Sequence, residues 1–339
     1  MSIGLNVGKG ISQLSKLMEL ELNGVWEIDI REIHQLRLRS LQLFYVAFCE
    51  ENISAERANL WDFSESKLET IGLGEVITDD WDVIKDLLLL PFTLRKLDIL
   101  SGYFPDLLIR NNLTNLTSLT LSYTRSFSAQ KMKYCSVKTL TNLRELCLDV
   151  EVMMADEDVI PLTNLTHLIM NETMTDYGIR GLLEMRRLVL NKLVSDGGIS
   201  EMRKLRFLDM NNNGIVSDLG LEKLSELSEI NLRMNKTISD VSLKGLMNLQ
   251  KIDVEFSAVR FDYRWLEGNG VNVVWHYVYP SDFRRVFPNM NKGKIIKKID
   301  RFDVVFEDMN GDSTIRTFPK MSIIVILIAI LIIYAINGQ

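Results

Sequence analysis

Residues 162–210 of this chain read LTNLTHLIMNETMTDYGIRGLLEMRRLVLNKLVSDGGISEMRKLRFLDM. The unit L-x-x-L-x-x-L-x-L, in which methionine replaces some leucines, occurs three times in this segment and ends at Met170, Leu190 and Met210. The last two apolar positions of each unit alternate with a variable residue, which is the pattern of a short strand with one buried face. Because a chance amphipathic helix would not restart at a fixed interval, the segment predicts a repeat architecture.

The same unit recurs along most of the chain. Its first strand leucine, or the isoleucine that replaces it, falls at positions 119, 146, 168, 188, 208, 230 and 252, in steps of 27, 22, 20, 20, 22 and 22 residues. Weaker copies precede these at Leu20, Leu41, Ile71 and Leu97. A degenerate copy follows at 271–273. The long step before Leu146 includes residues 126–137, which we interpret as a longer convex segment or as a loop on one rim.

This spacing resembles that of leucine-rich repeat proteins, whose repeats are roughly 20–29 residues long. The segments LTNLTSLTL (113–121) and SDLGLEKLSELSEINL (217–232) are similar to the short-repeat classes, internalin-like and F-box-associated repeats among them. The resemblance covers roughly residues 10–275. It implies an α/β fold, a curved solenoid of about 11 repeats with parallel strands on the concave face, and a protein-binding role. One repeat cannot bury its own leucines, so neighbouring repeats stack and share a continuous core.

The residues that flank the strand leucines are expected on the concave face, in columns that cross successive repeats. Exposed strands favour polar residues, yet Ile169, Val189 and Phe207 stand in these columns in consecutive repeats. An apolar centre with a polar rim is typical of a protein interface. Alternatively, β propensity alone placed these side chains there. The candidate contact residues are His167, Ile169, Asn171, Arg187, Val189, Asn191, Phe207, Asp209, Asn211, Asn231 and Arg233.

The asparagines of the chain suggest both a hydrogen-bonded ladder between repeats and candidate glycosylation sequons. In the family that this sequence resembles, the position five residues after the first strand leucine forms a ladder, and here it holds Asn213 and Asn235. Leu193 departs from the pattern, so we expect the ladder to be incomplete there. Because three of the six N-x-S/T sequons belong to the turn of the repeat, we interpret the sequons as mostly incidental to glycosylation. They begin at Asn52, Asn112, Asn115, Asn164, Asn171 and Asn235.

After the repeats the leucine period is lost and basic residues cluster. Seven basic residues and Asp300 give a net charge of +6 over residues 284–301. The basic residues are Arg284, Arg285, Lys292, Lys294, Lys297, Lys298 and Arg301. Such a cluster near a membrane is attracted to anionic lipid by about 1 kcal/mol per residue. Alternatively, the segment is a solvated linker, or its basic residues pair with acidic residues of the repeats. Residues 301–307 and 313–318 flank a D-M-N-G-D segment and predict a β-hairpin.

The residues from Met321 to Ile336 are all apolar except Ser322. As a helix they extend roughly 24 Å, which is short for a hydrocarbon core of about 30 Å. The run has no polar face, so we expect a membrane span, although a buried terminal helix or strand is the alternative. Arg316 and Lys320 precede the run and favour a cytosolic N-terminal side. The arrangement resembles a tail-anchored membrane protein, and no secretory signal is expected at the N-terminus.

These observations predict four regions. They are an N-terminal cap at 1–13, a repeat solenoid at 14–275, a basic linker with a β-hairpin at 276–320, and a transmembrane anchor at 321–336. Apolar residues make up 47% and charged residues 25% of the chain, which excludes global disorder.

The sequence contains none of several common enzymatic or metal-binding motifs. The three histidines are isolated from one another, and the chain contains no H-E-x-x-H, C-x-x-C or G-x-S-x-G motif. The three cysteines do not form paired end caps, which favours reduced thiols in the cytosol. The net charge of −6 argues against a dedicated nucleic-acid binder. We therefore expect no cofactor, metal, nucleic acid or small-molecule substrate.

The leading hypothesis is a non-enzymatic scaffold or adaptor. Its cytosol-facing repeats would bind a partner protein on the concave face and recruit that protein to a membrane through the C-terminal anchor. One alternative is a substrate receptor of a ubiquitin ligase, although few residues precede the repeats. A second alternative is a surface receptor or adhesin with luminal or extracellular repeats, for which the sequons would carry glycans.

Overall fold

The computed structural model describes twelve stretches of the chain. They are residues 11–24, 29–44, 62–74, 88–100, 113–122, 137–149, 152, 154–255, 263–276, 294–297, 303–307 and 313–317. The chain divides into two compact units, Met1–Leu205 and Arg206–Gln339. Helices and strands are numbered in chain order within the described residues.

The first unit contains eight parallel strands, which lie side by side in the order of the chain. They are β1 (Glu19–Asn23), β2 (Ser40–Phe44), β3 (Thr70–Leu73), β4 (Lys96–Ile99), β5 (Ser118–Leu121), β6 (Glu145–Leu148), β7 (His167–Ile169) and β8 (Arg187–Val189). A 3₁₀ turn at Ile11–Gln13 precedes β1. The parallel strands confirm the predicted strand arrangement.

The strand pairing follows the leucine pattern residue by residue. Leu20 pairs with Leu41, Leu41 with Ile71, and Ile71 with Leu97, so the weak early copies occupy the same register as the strong later ones. In the seven strong copies, each of the four apolar positions is at most 7% exposed. Burying one leucine contributes roughly 1.5–3 kcal/mol. The sheet register is therefore set by the leucine period, because a slip of one residue would expose each strand's core face.

Four short helices of the first unit lie within its described residues, one between β1 and β2 and one after each of β6, β7 and β8. They are α1 (Ile30–His34), α2 (Asp156–Val159), α3 (Asp176–Ile179) and α4 (Asp196–Ile199). The last two begin after a serine or threonine that caps the helix: the Thr175 hydroxyl accepts the N–H of Tyr177, and the Ser195 hydroxyl accepts the N–H of Gly197. The S/T-D-x-G-I segments at 175–179 and 195–199 therefore each form a capped single turn.

The second unit continues the same repeat with four parallel strands in chain order. The strands are β9 (Phe207–Asp209), β10 (Glu229–Asn231), β11 (Lys251–Glu255) and β12 (Asn272–His276). The helices are α5 (Asp218–Leu221), α6 (Asp240–Gly245) and α7 (Tyr263–Gly268). The degenerate copy predicted at 271–273 thus contributes a strand, β12, which pairs with β11.

A three-stranded antiparallel sheet also belongs to the second unit. Strands β14 (Asp303–Glu307) and β15 (Ser313–Thr317) pair with Glu307 opposite Ser313, as the predicted hairpin requires. Strand β13 (Lys294–Lys297) pairs with β14. The structure thus differs from the sequence-based expectation of a linker at 294–297, because backbone pairing with the hairpin extends this segment into a strand.

Several predicted features lie wholly or mostly outside the described residues. They are the N-terminal cap at 1–13, of which only residues 11–13 are described, the long step at 126–137, of which only Val137 is described, and the apolar run at 321–336. Within the described stretches, no helix combines the length and apolar character needed to cross a membrane. The membrane span therefore remains a prediction.

Candidate protein-binding surface

An apolar row crosses three neighbouring strands of the first unit. Cys147 of β6 pairs with Ile169 of β7, and Ile169 pairs with Val189 of β8. Each of these residues lies between two core positions, so its side chain leaves the sheet on the face opposite the core. Ile169 is 39% exposed, and Cys147 and Val189 are half-buried. The structure thus places Ile169 and Val189 side by side on neighbouring strands. We call Cys147, Ile169 and Val189 the apolar row.

A charged row runs beside the apolar row. Glu145, His167 and Arg187 are register neighbours on the same three strands. The carboxylate of Glu145 accepts a hydrogen bond of 2.9 Å from the Ser118 hydroxyl. The Thr166 hydroxyl lies 2.9 Å from Nδ1 of His167. The row therefore changes from an acidic side chain on β6 to a basic side chain on β8, so the charge of the surface has a direction across the sheet.

Asn171 does not lie on this surface, which corrects the sequence-based expectation. Its side chain is fully buried, and its amide donates to the Val152 carbonyl at 2.6 Å and to the Thr173 hydroxyl at 2.9 Å. Its Oδ1 accepts the N–H of Met174 at 3.1 Å. The physical reason is that β7 ends at Ile169, so the chain has already turned toward the core where the asparagine follows.

Asn191 is half-buried and also has a structural role. Its amide donates to the carbonyls of Asn171 and Met174, each at 2.7 Å. In this repeat the ladder position five residues after the strand leucine holds Leu193, which is 49% exposed. The ladder is therefore not lost at this repeat, because an asparagine two residues earlier supplies the hydrogen bonds to the preceding repeat.

The remaining candidate residues belong to the second unit. Phe207 pairs with Glu229, and Asp209 pairs with Asn231. Asn231 is buried, with its amide 2.9 Å from Oδ2 of Asp209, so the expectation that it is exposed is wrong. The amide faces its neighbouring strand, where the Asp209 carboxylate satisfies its donor.

The polar groups that follow these strands are also held by hydrogen bonds. The exposed Asn211 donates its backbone N–H to Oδ1 of Asp209 at 2.9 Å. The half-buried Arg233 donates its backbone N–H to Oδ1 of Asn231 at 3.1 Å. The turn after each strand is thereby fixed by the side chain that precedes it.

Lys251 organises the charges on β10 and β11. Its ammonium group lies 3.1 Å from Asp253 and 3.7 Å from Glu229. The hydrogen bond with Asp253 raises the pKa of Lys251 above its ordinary value, against the opposing effect of burial. The strand face of the second unit therefore satisfies much of its charge internally, whereas the first unit leaves Ile169 open to solvent.

Cys147 is a member of the apolar row that the sequence did not single out. The signal was present, since Cys147 stands in the same column as Ile169 and Val189. Burial raises the pKa of its thiol, and the carboxylates of Glu145 and Asp98 raise the pKa further. A protonated thiol is a small apolar surface rather than a nucleophile.

The predicted basic cluster lies mostly outside the described residues. Of the seven basic residues that the sequence predicts to lie near a membrane, Lys294 and Lys297 stand at the two ends of β13, and the other five lie outside the described residues. Within the described part of the chain, no group of three or more His, Cys, Asp or Glu residues is arranged to hold a metal ion.

Comparison with known proteins identifies the fold. No protein-family model matches the chain, and no curated protein matches it. Among solved structures, the chain is similar to an internalin from Listeria monocytogenes, with 22% identity and a TM-score of 0.57 over 81% of this chain and 85% of that chain.

Two further solved structures are more distant. A leucine-rich repeat protein from Leptospira interrogans is 18% identical, with a TM-score of 0.47 over 82% of this chain and 72% of that one. The Rad7 and Elc1 complex of yeast gives 16% identity and a TM-score of 0.45 over 73% and 78%. The regular parallel strands, the buried leucine period and the similarity to the internalin together show that this chain has the leucine-rich repeat fold.

Proposed function

We propose that the protein is a non-enzymatic scaffold that binds another protein through the strand face of its first unit. The observation that carries this proposal is the exposure of Ile169 in the middle of a strand, between Cys147 and Val189. An exposed apolar side chain among rigidly placed polar ones is the anatomy of an interaction surface. The backbone beneath it is held by parallel pairing on both sides, so a ligand would meet a preformed surface.

The rows on either side of the apolar row would orient the ligand. Glu145 and Arg187 lie at opposite ends of the charged row, so they favour a partner with the complementary order of charges. On the other flank, the Asp149 carboxylate accepts a hydrogen bond of 2.9 Å from Ser122, and Asn191 is bound to the preceding repeat. Groups that are already fixed lose little conformational entropy on binding.

Photo-crosslinking tests this proposal while the partner is still unidentified. A photoreactive amino acid placed at position 169 in the full chain should give a discrete crosslinked species in cells that contain the partner. The matched control is the same amino acid at Leu183, which is 51% exposed outside the strands and should give no such species. Equal crosslinking at both positions, or none at position 169, would contradict the proposed surface.

We further propose that the scaffold acts at a membrane with its repeats in the cytosol. Support comes from the apolar run at 321–336 and from the basic residues that precede it, which are suited to anionic cytosolic lipid. Protease protection on sealed membranes tests the topology. An N-terminal tag that is digested without detergent supports the proposal, and a protected tag favours the receptor alternative.

The ligase-receptor alternative predicts a different set of partners. Affinity purification of the full chain would then recover ligase adaptor proteins, and the Ile169→Asp substitution would leave their recovery unchanged. Under the scaffold proposal, Ile169→Asp should remove the specific partner, while Leu183→Asp should leave the partner bound. The two variants add the same charge at exposed apolar sites. A loss of partner binding in Ile169→Asp alone therefore reflects damage to the binding surface and not a general effect of the added charge.

A further inference from the structure

Two N-x-T sequons are built into the interior of the protein. Asn171-Glu-Thr173 follows β7 in the first unit, and Asn235-Lys-Thr237 follows β10 in the second unit. The side chain of Asn171 is 0% exposed, and that of Asn235 is 1% exposed. An N-linked glycan is bulky and must reach solvent. These two sites therefore differ from a sequon on a surface loop.

Both amide hydrogens of Asn171 are used within the fold. One hydrogen bond of 2.6 Å goes to the Val152 carbonyl in the preceding repeat, and a second of 2.9 Å goes to the Thr173 hydroxyl. Glycan transfer forms a bond between Nδ2 and the first sugar carbon. It removes one Nδ2 proton and breaks the bond from the sugar to its lipid diphosphate donor. A glycan on Asn171 would therefore delete a buried hydrogen bond and place a sugar in the core.

Asn235 occupies the same kind of position in the second unit. Its amide donates to the Asn213 carbonyl of the preceding repeat at 2.5 Å. Its Oδ1 accepts the backbone N–H groups of Thr237 and Ile238 at 3.0 and 3.3 Å. The asparagine thus holds its own turn on one side and the previous repeat on the other, so the amide has no path to solvent.

The threonine of each sequon is also committed to the fold. The hydroxyl of Thr173 donates to the Met154 carbonyl at 2.8 Å, and that of Thr237 donates to the Val216 carbonyl. Both carbonyls belong to the preceding repeat. The two residues that define a glycosylation sequon are therefore the same two residues that bind consecutive repeats together.

Asn164 provides a contrast within the same array. Its amide donates to the Thr141 carbonyl at 3.0 Å, but the residue is exposed, so a glycan there would extend into solvent. The obstacle at Asn171 and Asn235 is therefore their burial and does not apply to every sequon of the chain.

We infer that a glycan on Asn171 or Asn235 is incompatible with the folded repeats, and that the repeats fold in a compartment where N-glycans are not attached. Glycan transfer acts on the unfolded chain as it enters the secretory lumen, before burial can protect these asparagines. A chain directed there would receive glycans that its core cannot accommodate. This inference concerns the folding compartment and does not depend on the binding surface proposed above.

The test directs the full chain into the secretory lumen of mammalian cells with a cleavable signal peptide and compares it with the untargeted chain. The readouts are protease resistance and the glycan occupancy of each asparagine by mass spectrometry. We expect the luminal chain to carry glycans at Asn171 and Asn235 and to be digested at least tenfold faster than the untargeted chain. In any protease-resistant luminal fraction, both asparagines should be unmodified.

A pair of double variants serves as the matched control. Thr173→Val with Thr237→Val removes both sequons, and Thr173→Ser with Thr237→Ser keeps the sequons and the hydroxyl groups. Protease resistance of each untargeted variant first shows that it folds. In the lumen, the valine variant should be enriched in the resistant fraction relative to the serine variant. Two results would overturn the inference. One is a protease-resistant luminal chain that carries a glycan on either asparagine. The other is a luminal chain that is as protease-resistant as the untargeted chain because neither sequon receives a glycan.

Discussion

Thr175 donates both its backbone N–H and its hydroxyl to the carboxylate of Asp156, which lies 19 residues earlier in the chain. Ser195 makes the same pair of hydrogen bonds to Asp176. Thr175 and Ser195 also cap the helices that follow them, so each contact joins the first turn of one helix to the first turn of the preceding one. Neighbouring repeats are therefore linked by side-chain hydrogen bonds as well as by strand pairing and the shared leucine core.

Removing one of these aspartates should weaken the repeat array. Asp156→Ala leaves the N–H and the hydroxyl of Thr175 without their acceptor, and we expect a loss of about 1–3 kcal/mol in the free energy of unfolding. Glu172→Ala, which removes an exposed carboxylate from a nearby turn, should change the stability by less than about 0.5 kcal/mol. Urea unfolding of the full chain measures both values, and equal losses would show that the contact is not stabilising.

The glycine of the S/T-D-x-G-I segment should resist substitution because of the same aspartate. A Cβ atom on Gly178 would overlap Oδ1 of Asp156 and lie 3.1 Å from its Cα. We expect Gly178→Ala to destabilise the protein by roughly 1–3 kcal/mol through this overlap. Gly181→Ala has open space and should be neutral or slightly stabilising. Thermal unfolding of the two variants gives the comparison, and similar midpoints would contradict this explanation.

Met234 is in a strained backbone conformation that substitution should relieve. Its φ angle is 55°, in the left-handed region that costs most L-residues roughly 1–2 kcal/mol. Asn212, at the equivalent position of the preceding repeat, has a φ angle of 60°, and asparagine tolerates this region better. Met234→Asn should therefore raise the free energy of unfolding by up to about 1 kcal/mol. Met247→Asn changes another exposed methionine and should give no comparable gain.

Acidification should remove the stabilising contribution of Asp218. Burial acts to raise the pKa of Asp218, but hydrogen bonds from Ser239 and Ser242 outweigh it and hold the pKa below its ordinary value. A carboxyl whose pKa is lower in the folded state stabilises the protein above its unfolded pKa, and the contribution is lost as the pH falls through the folded pKa.

The corresponding measurement compares Asp218→Asn with the wild-type protein by urea unfolding at a series of pH values. The stability advantage of the wild type should be constant above about pH 5 and should shrink below about pH 4. An advantage that stays constant down to the acid limit would mean that the Asp218 carboxylate does not contribute through its charge.

The sequence by itself determined the repeat. Leucines every 20–22 residues must share a core, since no single repeat can bury them, and L-x-L alternation must place the intervening residue on the opposite face. This was sufficient to locate the parallel strands of the repeats, including the degenerate early copies, and to bring Ile169 beside Val189. The burial of leucine contributes a large free energy at regular intervals, so the positions of the strands can be predicted from residue type and spacing alone.

The tertiary structure alone decided the roles of the asparagines. The sequence placed Asn171 and Asn231 on the binding surface with Asn211, yet only Asn211 is exposed. An asparagine is equally suited to solvent and to a buried hydrogen bond. Its side chain is buried where a carbonyl or carboxylate of the neighbouring repeat lies within about 3 Å to accept its amide hydrogens. That distance depends on where each strand ends and how its turn packs on the previous one, which residue spacing does not specify.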